Sequence, residues 1–130
     1  MLRSGGFSAA IHRFNDRIQE VKRQLAPQGF DWYAYDSLGS LYELEGLLNA
    51  AGYSIPEFLG DGPVADLGCA DGDVSFFLES LGLEVDAIDN GVTNFNLLRG
   101  ARALKAALGS SVEVLNMDLD ERMDLGARRY

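Results

Sequence analysis

Cysteine is nearly missing from this chain: Cys69 stands alone, so no internal disulfide can form, and a reducing cytoplasm is the default expectation. Histidine is equally scarce. His12 is the single example, with no cluster of Cys, His and acid around it, so neither a metal centre nor a nucleophile–base pair is expected. No apolar run approaches the roughly 20 residues of a membrane span. The opening MLRSGGFSAAIHRF has no long apolar stretch of the kind a secretory signal carries, so neither membrane insertion nor export is expected. Positive charge is the minority, with 11 Lys and Arg against 20 Asp and Glu and a formal net charge of −9. Residues 1–27 reverse the balance, with Arg3, Arg13, Arg17, Lys22 and Arg23 against Asp16 and Glu20. An acidic body argues against broad nucleic-acid binding, because phosphate neutralisation supplies most non-specific affinity. The basic N-terminal segment reads as a solvated amphipathic helix, with an RNA contact as the minority reading.

What is present suffices for one folded core, since 130 residues bury roughly two-thirds of their unfolded surface. Ile11, Phe14, Ile18, Val21 and Leu25 recur at spacings of three and four and predict a helix over 7–26, ended by Pro27 and Gly29. The stretch FDWYAYDSLG follows, whose Phe30, Trp32, Tyr33 and Tyr35 are expected to pack one flank or cover a ligand. Ser40 and Glu43 have capping-box spacing and predict a second helix with Leu41, Leu44, Leu47 and Leu48 facing the core. YSIPEFLGDG reads as a loop.

From residue 63 the rhythm alternates. PVADLG, VDAID and VEVLNM read as strands, VSFFLESLG as a short helix, and residues from about Thr93 to Leu108 as a longer one. The fold class is α/β: a partial Rossmann-like parallel sheet with strands ordered 3-2-1 and helices on both faces, preceded by two N-terminal helices. Residues 1–59 form the helical segment and 60–130 the alternating one.

The stretch VADLGCADGDVSFFL joins the first strand to its helix through a turn carrying Gly68 and Gly72, where open parallel sheets bind ligands. A dinucleotide fingerprint begun at Gly68 needs glycines at 70 and 73, and the chain has Ala70 and Asp73. Asp73 reads as the cap of the next helix, and Asp71 would face any phosphate across the turn. A pyrophosphate is therefore disfavoured.

The arrangement D-x-G-x-[GA]-x-G, here Asp66, Gly68, Ala70 and Gly72, resembles motif I of class I S-adenosylmethionine-dependent methyltransferases. That resemblance spans about residues 60–120 and implies a cationic, phosphate-free cofactor, S-adenosylmethionine, which an acidic turn tolerates. It implies that Asp66 and the turn, with Cys69 as a small packing residue, hold the methionine end. Asp89, closing the second strand, would take the ribose hydroxyls, with Asn90 as an added donor. Asp118 would take the adenine amino group, with the backbone of Met117 to Leu119 along the ring edge. No catalytic residue is assigned. The segment AIDNGVTNFNLLRGARALKAALG, preceded by WYAYDSL, also resembles the layout of tRNA wobble-uridine methyl- and carboxymethyltransferases, which suggests RNA as an acceptor class.

The family's full sheet has seven strands, and the chain stops at DERMDLGARRY, where the fourth would be expected. The expectation is an N-terminal portion of a longer enzyme, or a truncated relative, inactive alone. The open edge of its first strand would be covered by the N-terminal helices or, preferably, by a second copy in a dimer. The alternative is a non-catalytic α/β interaction or regulatory module that has lost the cofactor.

Overall fold

The computed structural model describes residues 4–130. Helix α1 spans Ser4–Gln24 and buries Phe7, Ile11, Phe14 and Ile18 along one stripe. It gives way to a 3₁₀ turn over Ala26–Gln28, and Gly29 (φ 77°) reverses the chain. Lys22 also falls on the inward stripe, one turn beyond Ile18, and is more deeply buried than its neighbour Val21.

Helix α2, Ser37–Ala50, begins before the expected Ser40 start. Its cap is Asp36, whose carboxylate accepts the Gly39 N–H at 2.9 Å. Leu38 is buried, and Leu41 and Leu48 pack against the core, but Leu44 and Leu47 are exposed, against expectation. The reason is Glu45. Its buried carboxylate accepts the Ile55 N–H at 2.6 Å, fixing the helix with that residue inward. The segment read as a loop contains a short helix α3, Ile55–Leu59, with Ser54 accepting the Glu57 N–H and Pro56 in the first turn.

The alternating half forms β1 (Val64–Leu67), α4 (Asp73–Ser80), β2 (Val85–Asp89), α5 (Arg99–Leu108) and β3 (Glu113–Asn116). The strands are parallel and ordered β1-β2-β3, the expected 3-2-1 arrangement of an incomplete Rossmann-like sheet. Val64 pairs with Val85, and Ala87 with Val114, so one face presents Val64, Val85, Ala87 and Val114 to a core shared with Phe76, Phe77, Leu98 and Leu104. Phe7 and Phe14 of α1 each lie 5.6 Å, ring to ring, from Phe77. Two successive right-handed crossovers in the same direction leave α4 and α5 on one side. Residues of α1, α2, α4 and α5 share the core with Val64, Val85, Ala87 and Val114. The opposite face carries Ile88 and Leu67, and there Asp86 accepts from Arg128 (3.0 Å) and Tyr130 (2.7 Å). Among the described residues no strand pairs with the outer edge of β1, and Leu67 is half exposed.

Helix α5 begins at Arg99, not near Thr93. The Asn94 side chain accepts the N–H groups of Asn96 (3.1 Å) and Leu98 (3.0 Å), an alternative to helical pairing, and Leu97 and Leu98 sit in the left-handed region.

Candidate functional site

Asp89 closes β2 and reaches back to the turn after β1. Its Oδ2 accepts the Ala70 N–H at 2.9 Å and the Asn94 Nδ2–H at 3.1 Å, while Oδ1 accepts the Asn90 N–H at 2.8 Å. Three amides thus converge on one carboxylate. Asn94 also donates to the Ala70 carbonyl at 3.0 Å, so both polar groups of Ala70 are held. Ala70 adopts φ 54°, a left-handed conformation between two glycines that share it, Gly68 (75°) and Gly72 (90°). A residue with a Cβ at that angle is under strain, and the two anchors to β2 and its loop are what hold it.

The turn's amides are otherwise occupied within the chain. Gly68 and Cys69 both donate to the Ile88 carbonyl (2.8 and 3.0 Å), and Gly72 donates to Cys69 (2.8 Å). A phosphate cradle needs such N–H groups pointing at the ligand. Here four of them are committed, one of them to the Asp89 carboxylate itself.

Asp71 and Asp73 lie beside a cation, which corrects the expected electrostatics of the turn. Gly72, not Asp73, is the cap position of α4, and Asp73 lies in the first turn. Its Oδ2 accepts from Lys22 Nζ at 2.9 Å, and Asp71 Oδ2 lies 3.9 Å from the same ammonium. Asp71, only 3% exposed, also accepts the Tyr33 N–H at 2.7 Å and the Asn96 Nδ2–H at 3.1 Å. Two of the carboxylates that seemed to exclude phosphate therefore pair with a cation. The case against a dinucleotide passes to Asp89 and the occupied amides.

Asp66 lies behind the turn and accepts the Ser75 hydroxyl at 2.7 Å. Burial pushes its carboxyl above the usual range, and the nearby Asp89 charge adds to this against the opposing Ser75 bond. Burial likewise drives the Cys69 thiol far up, with Asp66 and Asp89 adding to it, which disfavours the thiolate a nucleophile needs.

Asp89, Asn90, Met117, Asp118 and Leu119 line one cleft of about 200 Å³ together with Thr93 and Asp120. The Met117 N–H donates to the Asp89 carbonyl at 2.9 Å, which extends the β2–β3 pairing to the cleft floor. The Asp118 carboxylate accepts the Asp120 N–H at 3.0 Å, closing a small turn. Asn90 Oδ1 accepts the Val92 N–H at 2.9 Å. The structure thus brings five of the ten expected residues into one cleft and Gly68, Cys69, Ala70 and Gly72 beside it through Asp89, with Asp66 set behind. The sequence reading missed Asn94 and Asn96 as struts and Lys22 as the partner of the turn. The asparagine run over residues 90–96 was the available signal for the first two.

The aromatic stretch packs over the same region. Tyr33 stacks on Phe95 (centroids 4.0 Å apart, planes 3° apart), and its hydroxyl accepts the Phe95 N–H at 3.0 Å. Asn96 bonds both backbone groups of Asp31.

The chain is similar to the PH0226 protein of Pyrococcus horikoshii OT3, whose crystal structure matches with 29% identity and a TM-score of 0.49, over 71% of this chain and 39% of that one. This chain thus spans well under half the length of that protein. A comparison with the curated proteins finds no match. The family model described as tellurite resistance protein TehB matches residues 48–127, which takes in the whole sheet, the glycine turn and the cleft. The chain belongs to the TehB family and carries a class I S-adenosylmethionine-dependent methyltransferase-like domain.

Proposed function

We propose that the chain binds S-adenosylmethionine at the carboxyl ends of β1 to β3, as the cofactor-binding portion of a methyltransferase. The observation that carries this reading is the placement of Asp89. It joins the glycine turn to a cleft that ends in Asp118, which supports a ribose and an adenine edge lying side by side there. The donor set fits such a cofactor: carboxylates for a diol, an exocyclic amine and a sulfonium, and a turn whose amides offer a phosphate little. A cleft of about 200 Å³ is below the roughly 300–1,000 Å³ of whole ligand pockets, so it suits the nucleoside end, with the methionine end over the turn.

When bound, the cofactor supplies an electrophilic methyl group. The chain's own residues would orient it: Asp89 and Asn90 the ribose, Asp118 with the Met117–Leu119 backbone the base, and Gly68 to Gly72 the methionine end. Catalysis of this kind rests mainly on positioning. The methyl acceptor is left open, with RNA as one proposed class. A cytoplasmic setting and a dimer through the β1 edge belong to the same proposal, and light scattering that finds a monomer at every concentration would remove the dimer.

Calorimetry with S-adenosylmethionine and S-adenosylhomocysteine tests the reading, with NADH as the phosphate-bearing control. Binding of the first two, lost in Asp89→Ala and absent for NADH, is the expected result. Binding of none would favour a non-catalytic module, a reading to which the internal engagement of both Asp89 oxygens lends support.

A further inference from the structure

Lys22 is 6% exposed, an unusual place for an ammonium group on the apolar stripe of an amphipathic helix. Its Nζ donates to Asp73 at 2.9 Å, lies 3.9 Å from Asp71, and sits 5.5 Å from the centroid of the Trp32 ring. Asp73 Oδ1 has no hydrogen-bond partner among the described residues, so Lys22 is the cation that compensates this acid's burial. Asp71 in turn holds the backbone of Tyr33 and the side chain of Asn96. Asn96 is tied to Asp31, and Tyr33 is stacked on Phe95. One ammonium on α1 therefore stands at the root of a chain of contacts that clamps the aromatic segment and the loop before α5 onto the glycine turn.

We propose that Lys22 is a positioning residue of the cofactor site: by keeping Asp71 a charged acceptor, it holds residues 30–35 and 94–96 against the turn that carries Gly68 to Gly72. This deepens the cofactor reading and rests on it. The groups facing Asp71 are Lys22 from α1, Asp73 from α4, the Cys69 thiol within the turn, and the Tyr33 N–H and phenol and the Asn96 amide from the two clamped segments. Only Lys22 among them is a cation.

The test has two readouts on the full chain. The first is the amide proton of Tyr33 followed by NMR against pH, which reports the charge on its acceptor whether or not any cofactor binds. Lys22→Met should move its titration midpoint upward by about one pH unit, Lys22→Arg should leave it near that of the parent, and Asp73→Asn, which removes the competing acid, should move it downward. Asp71→Asn should abolish the titration. If Lys22→Met does not fold, the comparison of Lys22→Gln with Lys22→Arg carries the test: Lys22→Gln should raise the midpoint and Lys22→Arg should not, and equal midpoints would overturn the proposal. The second readout is S-adenosylhomocysteine affinity. In Lys22→Met it should fall about tenfold below the parent at mildly acid pH and recover toward it at alkaline pH, whereas a simple packing defect lowers it equally at all pH. An unmoved Tyr33 midpoint, or a pH-independent loss, overturns the proposal. A shifted midpoint in a chain that binds no S-adenosylhomocysteine would overturn the cofactor reading and the positioning role that depends on it, leaving only the Lys22–Asp71–Tyr33 contacts.

Discussion

The Asp89 carboxylate accepts the Ala70 N–H at 2.9 Å across 19 residues of sequence, and so fixes the end of β2 to the turn after β1. Removing that acceptor leaves Ala70 without one of its anchors while its backbone still needs a left-handed conformation. Asp89→Ala should therefore abolish cofactor binding and also destabilise the fold, by about 1–3 kcal/mol for the amides left unsatisfied. Asp89→Asn keeps one acceptor oxygen and should recover most of the stability but not the affinity. Urea unfolding and calorimetry on the two variants separate the effects.

Gly72 has φ 90°, and a Cβ there would come 2.8 Å from Cε2 of the Phe76 ring. Gly72→Ala should cost about 1–3 kcal/mol from backbone strain, more if the buried ring cannot yield. Thermal unfolding measures the loss. The equivalent change at Gly52, which has open space around it, should cost only the backbone term.

Phe77 is fully buried between Phe7 and Phe14 of α1. Phe77→Ala should destabilise by about 3–5 kcal/mol, enough to unfold a domain of this size under mild conditions. Chemical denaturation checks it. A loss below about 1 kcal/mol would mean that α1 is not docked on the sheet as described.

Asp66 and Asp71 both have carboxyls raised by burial, in Asp71 against the pull of the Tyr33 N–H and the Lys22 charge. For an acid whose folded value exceeds its unfolded one, the native state binds more protons in between, so stability falls as pH rises through that window. These two groups should make the protein more stable as pH is lowered from neutral through their raised values toward 3.8, the ordinary carboxylate value. Asp66→Asn, which can still accept from Ser75, should flatten part of that slope in a series of melting curves.

Cys69 is buried and its thiol strongly disfavours ionisation. A disulfide-exchange reagent should label it only at the rate of global unfolding, and at full speed in denaturant. Rapid labelling of the native chain would mean an open, mobile turn.

Where the structural cause lay within a few residues, the sequence was readable. The stripe Ile11, Phe14, Ile18 and the runs VADL, VDAID and EVLN carry their own periodicity, and the folded elements follow them. The glycine turn and Asp89 at the end of the second strand were visible for the same reason. The onset of α5 was not, because Asn94 and Asn96 make bonds to distant segments as well as to their neighbours, and these decide the path. The outward Leu44 and Leu47 were hidden by Glu45, a polar residue that is inward because Ile55 supplies a donor.

From sequence alone came the α/β alternation, the parallel order and the location of the glycine turn, since each follows from local patterning and the handedness of crossovers. Only the folded chain decided which charges that turn exposes. Lys22 and Asp73 lie 51 residues apart, and in the sequence one is an ordinary base on an amphipathic helix and the other an ordinary helix-start acid. Packing α1 against α4 puts them 2.9 Å apart with little solvent between, and at that separation the ammonium compensates the charge of an acid that the sequence leaves facing the turn.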